Sequence, residues 1–170
     1  MPRTLIPLDD LTLRSYHLWE RQWLLLCAGD YAARQFNAMT IAWGSIGSMW
    51  GRPFVQVAVR PTRYTFEFMQ RYPTFTVSAF ADEYRAALQL LGTRSGRSGD
   101  KISAAGLTPV AAEQVTAPCF AEAEFTLECR TIYWDDLKPD HFLDPAIEKN
   151  YPDRDYHRVY FGEIACVWRA

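Results

Sequence analysis

A chain of 170 residues with 49% hydrophobic and 15% aromatic content suits one globular domain rather than a disordered segment. Its formal charge of −2 excludes a general nucleic-acid binder but leaves room for a local basic pocket. No apolar run reaches membrane-spanning length, and MPRTLIPLDDLTLRS has no apolar core of a secretory leader; a single domain over 1–170, away from any membrane, is expected.

In chain order, Trp23 to Ala28 reads as a buried strand ended by Gly29-Asp30. Phe36 to Ile46 is a second apolar strand, and the glycine-rich GSIGSMWGRP reads as a loop after it. Phe54 to Val59 is a third strand, rich in β-branched residues. Thr62 to Gln70 reads as a helix capped by Thr62, with Pro73 beyond its end. Phe75 to Phe80 is a strand, and Asp82 to Leu91 a helix with Asp82 as cap and Gly92 as stop.

TRSGRSGDK is a polar, basic loop. Ala121, Ala123, Phe125, Leu127 and Cys129 alternate with Glu122, Glu124, Thr126, Glu128 and Arg130, the pattern of a long strand with one wet face. Trp134 to Arg154, with three prolines, is a long excursion, and a last strand runs from about Arg158 to Trp168. Strands outnumber helices and most connections are too short for parallel crossovers, so the fold class is mainly β with short helices, an antiparallel barrel.

Cys27, Cys119, Cys129 and Cys166 are far apart with no C-x-x-C pair, which favours buried free thiols and a reducing, cytoplasmic compartment. His17, His141 and His157 are scattered and give no metal site, and no hydrolase motif is present.

Three stretches carry chemistry. VAVRPTRYTFEF brings Arg60, Thr62, Arg63, Tyr64 and Thr65 to a strand-to-helix junction. Helix N-termini expose unpaired N–H groups and partial positive charge, so this corner is either a phosphate or carboxylate seat or a solvated cap. Arg94 to Lys101 adds Arg94, Arg97 and Lys101 on a glycine-rich loop that lacks the P-loop order. In FNAMTIAWGSIG, Asn37, Thr40, Trp43 and Gly44 interrupt an apolar strand, which suits either a bulged core strand or close approach of a flat ring.

Taken in order, FNAMTIAWGSIGSMWGRP, VRPTRYTFEFM, FTVSAF, LLGTRSGRSGDKISAAGLTP and NYPDRDYHRVYFGEI resemble the flavin reductase-like, FMN-binding split-barrel proteins, especially the small flavoredoxin-type members. The resemblance runs from about Asn37 to Ile164. It implies a homodimeric split barrel holding FMN non-covalently, with NAD(P)H as electron donor in a flavin reductase. The alternative it allows is an electron carrier reduced by a partner protein. Onto this chain it carries Asn37, Met39, Thr40, Ile41, Ala42 and Trp43 as the lining of the flavin ring. Arg60, Thr62, Arg63, Tyr64 and Thr65 become the phosphate cradle, with Lys101, after Asp100, near the phosphate or ribityl chain. His157 becomes the candidate catalytic residue, near the face where nicotinamide stacks. The 134–154 excursion is expected to cover the flavin or the dimer interface.

Overall fold

The computed structural model describes residues 3–170. A short strand β1 (Thr4–Ile6) is followed by a single helical turn α1 (Ser15–His17) that widens over Leu18–Gln22. Strands β2 (Leu24–Asp30), β3 (Gln35–Ile41), β4 (Gly44–Met49) and β5 (Arg52–Val59) lead to helix α2 (Tyr64–Arg71). Strand β6 (Thr74–Ala79), helices α3 (Arg85–Thr93) and α4 (Lys101–Ala104), and the two-residue strands β7 (Pro109–Val110) and β8 (Cys119–Phe120) follow. The chain ends with two twelve-residue strands, β9 (Phe125–Asp136) and β10 (Arg158–Arg169). The main sheet runs β3-β2-β6-β9-β10-β5-β4, with β1 added to β10, and every pair is antiparallel. This is the expected antiparallel split barrel with few short helices.

Strand β2 shows why its sequence is continuously apolar. Leu24, Leu26 and Ala28 point into the barrel core, while Leu25 and Cys27 pack with Leu88, Leu91 and Phe120 beneath the helices. Both faces are covered, so no position needs to be polar. In β10, a Cβ at Gly162 would lie 2.3 Å from the Phe75 ring and 2.9 Å from Cys129 Cβ, so only glycine lets this strand cross the core ring. The four cysteines are free thiols; Cys27, Cys119 and Cys129 are buried and Cys166 is partly so.

Several sequence expectations are corrected. The apolar run from Phe36 divides at Ala42-Trp43, because β3 pairs with β2 whereas β4 pairs with β5. The glycine-rich stretch read as a loop is a hairpin: β4 and β5 pair from Gly44↔Val57 to Met49↔Arg52. Its two central residues, Trp50 and Gly51, have φ of 55° and 67°, the left-handed pair that suits the twist of a tight hairpin. Helix α2 starts at Tyr64 rather than Thr62, and no side chain caps it. Asp82 sits in a separate short turn, and α3 continues through Gly92 to Thr93. A Cβ at Gly92 would lie 3.2 Å from Thr40 Cβ, so this glycine serves helix-on-strand packing.

The long alternating strand starts later than expected, at Phe125, and extends to Asp136. Its second face is dry at Thr126 and Glu128 and wet at Arg130, Trp134 and Asp136. Glu128 is fully buried, accepting from Glu113 N at 2.9 Å, Gln114 N at 2.6 Å and Trp168 Nε1 at 2.6 Å, and Thr126 pairs with Ser78 at 2.9 Å. The segment between β7 and β8 folds over this face and supplies the donors that a buried carboxylate requires. Among the described residues, no helix is long and apolar enough to cross a membrane.

Candidate functional site

Beside β3, the first turn of α2 and the loop after α3 enclose a cavity of about 70 Å³. Met39, Thr62, Arg63, Tyr64 and Thr65 line one side; Thr93, Arg94, Ser95, Gly96 and Lys101 line the other. The two basic stretches of the sequence therefore meet at one point. Their meeting depends on Gly96, whose absent Cβ would lie 2.1 Å from Asn37 Oδ1 and 2.9 Å from Tyr64 Cδ1. Any larger residue pushes the loop off the strand.

Lys101 is buried, and its Nζ donates to the carbonyls of Leu91 at 2.9 Å and Arg94 at 3.0 Å. An ammonium has three donors, so one proton has no acceptor among the described residues. Burial, then the neighbouring Arg63 charge, lowers the Lys101 pKa from 10.5 to about 8. Asp100 does not neutralise it. Its carboxylate caps α4, accepting from Ile102 N at 3.1 Å and Ser103 N at 3.0 Å, and the Ser103 hydroxyl holds its pKa low.

Arg63 donates to the Gly92 carbonyl, and burial followed by the Arg60 charge lowers its pKa. Neither Lys101 nor Arg63 has a carboxylate partner among the described residues. Thr65, also buried, accepts from Asn37 Nδ2 at 2.7 Å, which leaves its own hydroxyl proton to donate. Two desolvated cations, a hydroxyl donor and an uncapped helix start converge on the cavity. That donor set fits a phosphate-sized anion.

The remaining junction residues turn elsewhere. Arg60 pairs with Asp155 at 2.7 Å, donates to the Asn150 carbonyl at 2.7 Å and lies over the Tyr151 ring at 5.1 Å. Arg97 bonds Glu67 and covers the Tyr64 ring at 4.9 Å, holding the loop against α2. His157 is buried, shares a 2.8 Å hydrogen bond between Nδ1 and the Tyr151 hydroxyl, and stands 4.9 Å from the half-exposed Trp43 ring. Burial, then Arg60, lowers its pKa from 6.5 to about 4, so the imidazole is neutral at pH 7.

Of the remaining ring-lining candidates, Thr40 donates to the Leu88 carbonyl, Ile41 lies in the barrel core, and Ala42 is the half-buried hinge before Trp43. The structure thus forms two groups: Met39, Thr62, Arg63, Tyr64, Thr65 and Lys101 around the cavity, and Arg60, Trp43 and His157 against the excursion. The sequence reading missed Tyr151, Asn150 and Asp155 as partners of that second group. Their signal was the cluster of polar and aromatic residues in NYPDRDYH. No group of three His, Cys, Asp or Glu among the described residues is arranged to hold a metal.

A family model described as flavin reductase like domain matches residues 21–165. An uncharacterized protein of Pyrococcus abyssi is 32% identical over 94 residues, 55% of this chain and 52% of its own length. The chain therefore spans about half the length of that curated relative. Among solved structures, the FMN-binding domain of a flavin reductases-like enzyme from Shewanella baltica has a TM-score of 0.70 at 17% identity, covering 99% of this chain and 77% of its own. Flavoredoxin of Desulfovibrio vulgaris has a TM-score of 0.67 at 25% identity over 95% of this chain and 74% of its own. A Streptomyces globisporus NADH:FAD oxidoreductase in complex with NAD and FAD fragments has a TM-score of 0.65 at 19% identity, over 88% and 74%. The chain belongs to the flavin reductase-like domain family.

Proposed function

We propose that the chain binds FMN, with the flavin phosphate in the Lys101–Arg63 cavity, and acts as an oxidoreductase that takes hydride from NAD(P)H. The observation that carries this reading is the buried, carboxylate-free cation pair, which is costly unless an anion completes it. Lys101, Arg63 and Thr65 hold the phosphate by charge-assisted and hydroxyl donors, and Met39 and Gly96 set the cavity's width. Bound flavin supplies the redox chemistry, as cofactors do.

Trp43 and His157 form the surface against which a nicotinamide stacks. His157, neutral and hydrogen-bonded to Tyr151, orients rather than protonates. The excursion, fastened by Arg60, covers this side. The exposed aromatic pair Trp50 and Tyr133, ring centroids 5.9 Å apart, supports a homodimer, which sedimentation reads directly. Four free cysteines support a reducing, cytoplasmic setting.

Anaerobic mixing of the flavin-loaded protein with NADH and then NADPH tests the activity. Bleaching of the flavin band by either donor is expected. Retention of the colour with both would replace the reductase by an electron carrier that a partner protein reduces.

A further inference from the structure

Tyr151 belongs to the excursion rather than to the barrel, yet its hydroxyl reaches His157 beside Trp43. The residue is 3% exposed and sits in a box of four side chains. Phe142 stacks on it at a centroid distance of 5.9 Å, and Tyr156 lies at 5.0 Å. His157 meets it edge-on at 5.5 Å, and the Arg60 guanidinium lies 5.1 Å over its ring. Arg60 closes the box through its 2.7 Å ion pair with Asp155 and its bond to the Asn150 carbonyl. A 2.9 Å backbone bond from Leu137 N to the His157 carbonyl fixes the histidine just before β10.

The protons of this pair can be placed by counting. Burial raises the Tyr151 phenol above its ordinary 10, and burial lowers the His157 imidazole from 6.5 to about 4. Both groups are therefore neutral at pH 7, and each has one proton to place, while the 2.8 Å contact between Tyr151 Oη and His157 Nδ1 carries only one. If Nδ1 donated, the phenol proton would point into packed rings, because Oη has no other partner among the described residues. A buried donor without an acceptor costs more than the single bond returns. If the phenol donates, Nδ1 is filled and the imidazole proton sits on Nε2. That nitrogen has no partner among the described residues and, unlike Trp19 Nε1 and Thr131 Oγ1, is not sealed from solvent. Only this second arrangement leaves neither proton stranded.

We infer that Tyr151 is a positioning residue: it holds His157 as the Nε2–H tautomer, which offers a donor to a carbonyl oxygen on a ring stacked at Trp43. This rests on the nicotinamide reading above, in which that oxygen belongs to the carboxamide. The opposite tautomer would present a lone pair there and repel the oxygen. The excursion thus completes the site as well as covering it, because the residue that sets the tautomer lies on it.

Long-range 1H–15N correlation spectra of the ligand-free, 15N-labelled protein at pH 7 read the tautomer, with the His157 signals assigned through His157→Asn. Wild type is expected to show a protonated Nε2 and a bare Nδ1. Tyr151→Phe keeps the ring and its packing, and is expected to turn His157 into a mixture of tautomers. Loaded with FMN, that variant is expected to be reduced about tenfold or more slowly than wild type by saturating NADH or NADPH, with its FMN affinity unchanged. Phe142→Leu, which removes the stacked neighbour but no hydrogen bond, is expected to lower the melting temperature without moving the tautomer or the reduction rate. A proton on Nδ1 in wild type would overturn the inference. So would a Tyr151→Phe protein whose tautomer and reduction rate match wild type, the result that a packing role alone predicts. A wild type with Nε2–H whose flavin neither donor bleaches would overturn the nicotinamide reading, and the ligand assigned here with it, while the tautomer assignment stands.

Discussion

Lys101 carries the account at the residue scale, because it is a buried cation whose hydrogen bonds among the described residues run to neutral carbonyls. Its folded pKa, about 8, lies below the ordinary 10.5, so between these values the unfolded chain binds more protons. Stability of the ligand-free protein therefore rises with pH across that window, and the cost of the buried charge is present in full below it. Lys101→Met is expected to raise ligand-free stability at pH 7 by about 1–3 kcal/mol, read by denaturant unfolding, while weakening FMN by a similar amount. Wild-type affinity for FMN is expected to fall as pH rises above about 8, and the variant to show no such fall. A plain packing role for the lysine predicts instead that stability and affinity decline together.

His157 has the same sign of shift at lower pH. Its folded pKa of about 4 lies below the ordinary 6.5, so its contribution is present above 6.5 and lost as pH falls toward 4. Melting temperatures at pH 7 and pH 4.5 are expected to differ less in His157→Asn than in wild type.

At the scale of elements, two arginines that look equivalent in VRPTRYT do different jobs. Arg63 faces the cavity and Arg60 fastens the excursion through Asp155 and Asn150. Arg63→Ala is expected to weaken FMN by about 1.5–3 kcal/mol, the range for a charge-assisted hydrogen bond. Arg60→Ala is expected to weaken it by less than about 1 kcal/mol and instead to speed hydrogen exchange across residues 137–157. Equal losses of affinity from the two would put Arg60 back in the phosphate cradle.

Glu128 anchors another element. Glu128→Gln places an amide against the N–H groups of Glu113 and Gln114, and is expected to cost about 1–3 kcal/mol in denaturant unfolding. The sequence could not show this carboxylate as buried. Alternation reveals only that successive side chains point to opposite faces, and the cover over the second face comes from a segment fifteen residues earlier in the chain. The β4–β5 hairpin was hidden for a related reason: glycine and serine dominate it, and the left-handed φ at Trp50 is set by pairing rather than by propensity.

At the scale of the whole molecule, the antiparallel barrel was legible because six of its strands carry apolar or alternating runs bounded by Gly, Pro or Asp. The basic stretches were legible as an anion seat in type but not in arrangement. VRPTRYT and SGRSGDK are thirty residues apart, and their meeting depends on Gly96 lying against Asn37 and Tyr64, a tertiary contact without a local signature. Strand β3 is the common wall: it borders the anion cavity and then the Trp43 surface.

The most direct measurement of this arrangement compares riboflavin with FMN, which differ only by the phosphate. Titrated by quenching of flavin fluorescence at pH 7, FMN is expected to bind at least about a hundredfold more tightly than riboflavin, about 2.7 kcal/mol. That gap is expected to close in a Lys101→Met/Arg63→Ala variant. Equal affinity for the two flavins in the wild type would contradict the account, because the buried cations would then have no phosphate to hold.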